Sequence, residues 1–395
     1  MVKAGDVVGG YRLLEDFRVV GAGLSEWTFA ERDGREFFLK RFLSPTYPDD
    51  AAPGSATTKA RKRARCAAFE AHHRGMQVAL APVTRYGGNL IATLDFFREG
   101  AKYYKVTEKV DLAGLEPSDV ARSGFTTQLV LMKTVAHSLK ILHDLHIVHS
   151  DLKPSNVMIK KTELGYTTKL IDFDSSYIVG SPPPPDEIVG TINYYSPELI
   201  TYVQGGDAAL TTASDIFALG LIYCEYLTGK LPHFDAADHE PGVAVLNGSR
   251  LSLPPDAGPS AVSELVERMM LADPAARPRV DEVHATLMNL RTGGGPTRGR
   301  PTRAPAAATM GPVSSLRGKG LRLTGSALRS APAGPISEDD RVAFSTVPGA
   351  SDGSAPRKAS AARPTPPTIE PEGGAGMVST LVGRLLTNLD RRRSR

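Results

Sequence analysis

The chain has 395 residues, 41% hydrophobic and 23% charged, which at roughly 150 residues per domain predicts two or three units with a buried core. Its two cysteines, Cys66 and Cys224, exclude a disulfide-stapled scaffold and fit a reducing compartment. No apolar run approaches the ~20 residues of a membrane-spanning helix, and the N-terminus lacks the apolar segment of a secretory signal. We therefore expect a soluble cytoplasmic protein.

The net charge of +4 is unevenly distributed along the chain. From Gly293 to the C-terminus there are 16 basic and 7 acidic residues, whereas the preceding part holds 31 basic and 36 acidic residues. An acidic body thus carries a basic tail. Residues 293–376 are rich in Pro, Gly, Ala, Ser, Thr and Arg, and we expect them to form a disordered linker because they have few large apolar side chains.

Before this tail, the predicted elements change from strands to helices. Residues 35–42 and 90–97 read as strands, and residues 59–77 read as a helix. After about residue 118, further helices are predicted. They cover residues 126–143, 212–227 and 261–271. A strand-rich part followed by a helix-rich part indicates an α+β fold in two lobes.

The last stretch, residues 377–395, has apolar residues at helical spacing, followed by three arginines, and predicts an amphipathic helix. We expect this helix to dock on a partner or on the folded part of the chain. An anionic membrane surface is the alternative, which would make the protein peripheral.

The strongest local pattern is the run HSDLKPSN at residues 149–156, followed by DFD at residues 172–174. Here residues 10–292 resemble the protein kinases, in the bacterial branch of the eukaryotic-like Ser/Thr kinases, which share H-x-D-L-K-P-x-N and D-F-x. The resemblance implies a two-lobed fold with a β-rich N-lobe and a helical C-lobe. It also implies transfer of the γ-phosphoryl group of ATP to protein hydroxyls. Because a coil of about 84 residues spans roughly 50 Å, we also hypothesise autophosphorylation of the tail, with a solvating linker as the alternative.

The resemblance assigns roles to four residues of these motifs. Asp151 is expected to accept the proton of the substrate hydroxyl, and Lys153 to contact the transferring phosphoryl group. Asn156 and Asp172 are expected to bind Mg²⁺ or Mn²⁺, hard cations that prefer oxygen ligands. A lysine followed by proline at this place is typical of members specific for Ser and Thr.

Upstream motifs provide the expected nucleotide site. Gly21 and Gly23 resemble the start of the Gly-rich loop, whose backbone approaches phosphates closely. Lys40 ends a predicted strand and matches the lysine that contacts the α- and β-phosphates. Glu70, the acidic residue of the predicted helix 59–77, matches the glutamate that pairs with this lysine.

The resemblance also locates a hinge for adenine after a strand. Thr107 occupies the gatekeeper position, and the backbone groups of Glu108 and Val110 are expected to hydrogen-bond the base. A strand that simply ends in a turn is equally compatible with these residues, so the side chains alone do not distinguish a hinge from such a turn.

Downstream motifs favour a protein substrate over a small molecule. Residues 190–198 resemble the end of the activation segment, and Arg277 matches the arginine that pairs with Glu198, a buried carboxylate that needs such a partner. Asp215 is expected to fix the catalytic loop by backbone hydrogen bonds. Small-molecule phosphotransferases of related fold generally lack this segment.

Three residues depart from the family pattern. Ser150 replaces the arginine of H-R-D, so we expect activity without phosphorylation of the activation segment. Asp174 replaces the glycine of D-F-G, and Glu26 replaces the third glycine of the Gly-rich loop. A nucleotide-binding pseudokinase scaffold and a small-molecule phosphotransferase therefore remain alternatives. We expect no nucleic-acid partner, because no groove-reading fold accompanies the basic tail.

Overall fold

The computed structural model describes residues 2–20, 25–49, 51, 53–84, 88–235 and 238–290. The predicted linker at residues 293–376 and the predicted helix at residues 377–395 lie outside the described residues. Gly21 and Gly23 lie outside them as well.

An antiparallel sheet forms the N-terminal lobe. The strands are β1 (Val7–Val8), β2 (Tyr11–Leu13), β3 (Arg18–Val20), β4 (Ser25–Arg32), β5 (Arg35–Phe42), β6 (Asp95–Glu99) and β7 (Lys102–Glu108). Among the described residues these seven strands form one sheet in the order β1-β2-β4-β5-β7-β6, and β3 pairs with the first residues of β4. The strand predicted at residues 35–42 is β5, which has the predicted bounds. The strand predicted at residues 90–97 corresponds to β6, which begins later, at Asp95.

The two faces of this sheet bury different groups. Because side chains alternate along a strand, Leu39 and Val106 point into an apolar core on one face, while Lys40 and Lys105 point to the other. Helix α1 (Ala56–Thr84) packs on the second face at the strand ends and is longer at both ends than the predicted helix 59–77.

The C-terminal lobe is helical and contains two small antiparallel pairs, β9 with β10 and β8 with β11. Its helices are α2 (Pro117–Arg122), α3 (Phe125–Asp144), α4 (Pro197–Val203), α5 (Ala213–Thr228), α6 (Pro241–Leu246), α7 (Ser260–Met269) and α8 (Val280–Asn289). Its strands are β8 (Ile147–Val148), β9 (Val157–Thr162), β10 (Gly165–Leu170) and β11 (Tyr177–Ile178). The predicted α+β, two-lobed architecture is confirmed.

Helix α5 is the centre of this lobe. Its sequence is apolar on every side, and nearly all of its residues are buried. At Gly220 an added Cβ would lie 2.8 Å from Met270 Cγ, so glycine permits the close approach of the segment that ends α7. Among the described residues, no helix is both long and apolar enough to cross a membrane.

Candidate active site

The loop after β8 is fixed to α5 by one buried carboxylate. Asp215 accepts hydrogen bonds from the backbone N–H groups of His149 at 2.8 Å and Ser150 at 3.0 Å. His143 Nε2 lies 2.9 Å from the same carboxylate, which is 1% exposed. Ser150 has a φ of +69°, a left-handed conformation that non-glycine residues adopt rarely. The backbone just before Asp151 is therefore fastened to the core of the lobe.

Asp151 is the centre of a hydrogen-bonded network. Its Oδ2 accepts bonds from Lys153 Nζ at 2.7 Å and Asn156 Nδ2 at 3.0 Å. Its Oδ1 accepts a bond from the backbone N–H of Thr191 at 3.2 Å. Lys153 Nζ also donates to Thr191 Oγ1 at 2.8 Å. The expected base, the expected phosphoryl contact and one expected metal ligand therefore meet at one carboxylate.

This network has the groups that phosphoryl transfer needs at the acceptor side. A carboxylate at the surface of a cleft can accept a hydroxyl proton, and an adjacent ammonium group can balance charge that develops on a phosphoryl group. The side chains of Asp151 and Lys153 are 13% and 22% exposed, so both remain accessible to a substrate.

Lys40 lies on β5 and contacts the residues after β10. Its Nζ donates to both oxygens of Asp172 at 3.1 and 3.0 Å and to Asp174 Oδ2 at 2.7 Å. Asp172 has a φ of +63° and precedes a short 3₁₀ turn at Phe173–Ser175. Burial alone would lower the pKa of Lys40, but the carboxylates of Asp174 and Asp172 raise it above its ordinary value.

The expected ion pair between Lys40 and Glu70 is not formed. Glu70 Oε1 accepts a hydrogen bond from the hydroxyl of Tyr103 at 2.7 Å, at the end of the sheet where α1 packs on aromatic side chains. This contact corrects the expected partner of Lys40. The physical reason is the position of α1 along its axis. Glu70 and His73 lie about one turn apart on the same face of the helix, and the earlier turn meets Tyr103 while the later one meets Asp174.

Two further residues join the group around Lys40 and were missed by the sequence patterns. Lys105 is directly opposite Lys40 in the pairing of β5 with β7, and its Nζ contacts both Asp172 and Asp174. His73 Nδ1 lies 3.8 Å from Asp174 Oδ1. The sequence could have pointed to Lys105, because it lies two residues before Thr107 and alternation along a strand puts both side chains on the same face.

Electrostatics in this group follow from burial and close charges. Burial lowers the pKa of His73 to about 3, although Asp174 acts in the opposite direction. For Asp174, burial alone would raise the pKa of the carboxyl group, but Lys105 and Lys40 hold it well below its ordinary value. The group therefore combines Lys40 and Lys105 with Asp172 and Asp174, and the imidazole of His73 beside them is neutral.

The residues expected to contact adenine lie at the end of β7 and just after it. Glu108 is the last residue of β7, and its side chain accepts a bond from Lys169 Nζ at 2.7 Å. Val110 follows two residues later, and Thr107 is buried on the face of Lys105. Gly21 and Gly23, the expected phosphate contacts, lie outside the described residues; the flanking residues Val20 and Ser25 pair across β3 and β4.

The expected metal ligands fit a hard cation by their chemistry. Because Asn156 Nδ2 donates both to the carbonyl and to Oδ2 of Asp151, its amide oxygen is the atom left as a ligand. Asp172 adds carboxylate oxygens. Magnesium sites with one or two protein ligands complete their coordination with water and substrate phosphates, so this donor set suits a nucleotide-bound cation.

The segment that ends before α4 is held by a buried ion pair. Arg277 donates from its two terminal nitrogens to the two oxygens of Glu198 at 2.7 and 2.8 Å. Arg277 also donates to the carbonyls of Leu271, Ala272 and Ala213. This pairing confirms the predicted partner of Glu198 and anchors residues 190–198 against the C-terminal lobe.

Comparison with known proteins agrees with this geometry. The family model described as protein kinase domain matches residues 78–287, a little over half of the chain. The serine/threonine-protein kinase PknA of Mycobacterium tuberculosis is 31% identical over 261 residues, which cover 63% of this chain and 58% of PknA. The ovarian-specific serine/threonine-protein kinase Lok of Drosophila melanogaster is 31% identical over 152 residues, or 38% of this chain and 31% of Lok. The serine/threonine-protein kinase ksg1 of Schizosaccharomyces pombe is 31% identical over 165 residues, or 38% of this chain and 26% of ksg1.

The chain belongs to the protein kinase family, and its curated relatives include a bacterial Ser/Thr kinase. It spans less than two thirds of the length of each of these relatives. The family model begins at residue 78, after Lys40 and Glu70, so the match rests on the C-terminal lobe and the last strands of the sheet.

Proposed function

We propose that the protein is an ATP-dependent Ser/Thr protein kinase. The observation that carries this proposal is the carboxylate of Asp151, which Lys153, Asn156 and the backbone of Thr191 hold in place while its side chain stays 13% exposed. A carboxylate so oriented in a loop fixed to a buried helix is suited to receive a hydroxyl proton during phosphoryl transfer.

In the proposed reaction the oxygen of a Ser or Thr hydroxyl forms a bond to the γ-phosphorus of ATP. The bond between that phosphorus and the β,γ-bridging oxygen breaks, and ADP leaves with the electron pair. Asp151 receives the hydroxyl proton, and Lys153 stabilises charge on the transferring group. Lys40 binds phosphate oxygens on the opposite side of the cleft.

A divalent cation would be held by Asn156 and Asp172, and when bound it neutralises charge on the β- and γ-phosphates. Magnesium and manganese both suit this oxygen donor set. Gly21, Gly23 and the backbone of Glu108 and Val110 are the proposed contacts of phosphate and base.

A protein substrate is favoured by the segment at residues 190–198. The Glu198–Arg277 pair fixes the end of this segment, and the Thr191 contacts bring its start to Asp151. A hydroxyl donor must therefore reach Asp151 alongside this segment, which is suited to an extended peptide. We also include the chain's own basic tail among the proposed substrates.

A nucleotide-binding scaffold without catalysis is the second candidate, and one observation favours it. The ammonium group of Lys40 is engaged by two carboxylates, and the helix glutamate of the family pattern has a different partner. A protein of this kind would bind ATP and hold a partner through its tail. The intact network at Asp151 favours the kinase over this alternative.

The experiment is phosphate incorporation from γ-labelled ATP with Mg²⁺ or Mn²⁺, using generic protein substrates and the full-length chain. Asp151→Asn should abolish incorporation. Asp144→Asn is the matched control, since Asp144 is an exposed carboxylate paired with Lys140 at the end of α3. If the wild-type protein binds ATP but incorporates no phosphate into any substrate, the proposed kinase activity is wrong and the nucleotide-binding scaffold is the better proposal.

For residues 377–395 we propose docking on a protein partner or on the folded part of the chain. Co-sedimentation of the full chain with anionic liposomes, with and without these residues, tests the alternative of a membrane surface. Binding that depends on residues 377–395 would favour the membrane and a peripheral location.

A further inference from the structure

Lys40 has two carboxylate partners, and they are not equivalent. Asp172 is also the proposed ligand of the divalent cation, so its oxygens are shared between the lysine and the cation when nucleotide is bound. Asp174 has no assigned contact to the cation, and its Oδ2 lies 2.7 Å from Lys40 Nζ. Asp174 is therefore the carboxylate that can stay with Lys40 throughout the reaction.

The position of Asp174 is fixed from several directions. Its backbone carbonyl is 2.9 Å from His72 Nε2 on α1. Its Oδ1 contacts Lys105 Nζ, and the side chain of Lys105 is only 5% exposed. A half-buried carboxylate held by two lysines and a helix has few alternative orientations.

Helix α1 supplies no negative charge to this group. His73 of α1 faces the carboxylate of Asp174 and packs on the ring of Phe96 with centroids 4.6 Å apart. It is buried, and burial lowers its pKa to about 3, so it is neutral at physiological pH. Glu70, one turn earlier, bonds Tyr103 instead.

We propose that Asp174 is the residue that positions Lys40 for phosphoryl transfer, in place of a glutamate on α1, and that Lys105 holds the Asp174 carboxylate in its orientation. This inference rests on the proposed kinase activity. The proposal accounts for three features at once: the carboxylate at residue 174, the second lysine opposite Lys40, and the histidine that α1 places next to Asp174. Asp174 without Lys105, or Lys105 without Asp174, would leave an unbalanced charge in a partly buried site, whereas a neutral histidine leaves the balance unchanged.

The test compares kinetics of charge-balanced variants of the full-length chain. Lys105→Met/Asp174→Asn removes one cation and one anion together and leaves Lys40 with Asp172. We expect its kcat to fall about 100-fold, the cost of a misplaced phosphate-binding group. Glu70→Gln changes the residue expected from the family pattern. Its kcat should fall by no more than about tenfold. Unchanged thermal unfolding midpoints would establish that both variants fold.

A rescue experiment separates positioning from a general structural role. Asp174→Gly alone should lose activity, and His73→Glu in the same chain should restore a substantial part of it, since it places a carboxylate on the turn of α1 that faces Lys40. If Asp174 had only a structural role, a carboxylate introduced on α1 would not restore the activity of the Asp174→Gly variant. Failure of the rescue, with the double variant folded, would overturn the inference.

The outcomes distinguish this inference from the proposed function. A wild-type protein that shows no incorporation would overturn both. An active, Asp151-dependent wild type whose Asp174 variants keep their kcat would overturn the inference alone. If raising the Mg²⁺ concentration restored kcat of the Lys105→Met/Asp174→Asn variant, Asp174 would be a metal ligand, and the positioning role would be excluded.

Discussion

Lys153 Nζ lies 2.8 Å from Thr191 Oγ1 and 2.7 Å from Asp151 Oδ2, so a single ammonium group joins the catalytic loop to the segment before α4. The backbone N–H of Thr191 adds a bond to the other oxygen of Asp151. Thr191 thus holds the carboxylate directly through its backbone and indirectly through its hydroxyl. This arrangement orients the proposed base and the proposed phosphoryl contact together.

The hydroxyl of Thr191 should therefore matter for turnover. Thr191→Val keeps the shape and the backbone bond but removes the acceptor for Lys153, and we expect kcat to fall about tenfold, as for the loss of one charged hydrogen bond. Thr191→Ser should keep most of the activity. Steady-state kinetics with a peptide substrate measures both variants.

Thr201→Val is the matched control for this substitution. Thr201 lies on α4, and its hydroxyl bonds the Pro197 carbonyl at 3.0 Å, away from Asp151. Its valine variant should retain wild-type kcat. A Thr191→Val enzyme as fast as wild type would show that the Lys153–Thr191 bond does not contribute to catalysis.

The Glu198–Arg277 pair should contribute strongly to stability. The side chains are 8% and 0% exposed, and replacing one partner leaves the other buried without its counter-charge. We expect Glu198→Gln and Arg277→Met each to lower the free energy of unfolding by about 3 kcal/mol or more, and the double variant to lose less than the sum. Denaturant unfolding of the three variants gives the coupling free energy.

An exposed pair with a similar distance between nitrogen and oxygen provides the comparison. Arg268 and Glu282 are 2.7 Å apart, with side chains 50% and 48% exposed. A double-mutant cycle on this pair should give a coupling free energy of under about 1 kcal/mol, because solvent screens exposed charges. Equal coupling in the two cycles would contradict the importance of burial at Glu198.

His73 should make stability depend on pH. Its pKa is lowered from 6.5 to about 3 in the folded chain, chiefly by burial. Between these two values the unfolded chain binds a proton that the folded chain does not. The free energy of unfolding therefore falls as the pH decreases from 6.5 towards 3, with a slope of up to about 1.4 kcal/mol per pH unit from this residue.

The variant His73→Leu should remove this part of the acid sensitivity. Its free energy of unfolding, measured in urea from pH 7.5 to pH 4, should decline less steeply than that of wild type. His233→Leu, at an exposed histidine of the C-terminal lobe, is the control and should keep the wild-type slope. Parallel curves for wild type and His73→Leu would show that His73 takes up its proton in the folded state.

The sequence predicted the acceptor side of the site because that information is local. Asp151, Lys153 and Asn156 lie within six consecutive residues, and the turn at Pro154–Asn156 brings them together without help from distant elements. Glu198 and Arg277 are far apart in the sequence, but each lies in a recognisable motif, so their pairing could also be predicted. These features depend little on how the N-terminal sheet and α1 are arranged.

The group around Lys40 could not be predicted in the same way. Glu70 is the acidic residue of the predicted helix, but its contact depends on how far along the sheet α1 is placed. The meeting of Lys40 with Lys105 depends on strand register, which the composition of two separate strands does not determine. Asp174 was seen as a departure from glycine, and its partners became clear only in three dimensions.

Phosphorylation of the basic tail is the final prediction. The tail lies outside the described residues, and its sequence places Ser and Thr near arginine, as in the run RKAS at residues 357–360. If it is a flexible linker, as its composition predicts, about 84 residues span roughly 50 Å on average, enough to reach the chain's own Asp151. Mass spectrometry of the ATP-treated protein should find phosphate on Ser or Thr after residue 292.

The Asp151→Asn variant treated in the same way should carry none of this phosphate. A rate per molecule that is independent of protein concentration would establish transfer within one chain, whereas a rate that rises with concentration would establish transfer between chains. An active kinase with no phosphate beyond residue 292 would exclude the tail as its own substrate. The remaining interpretation of residues 293–376 would then be a solvating linker.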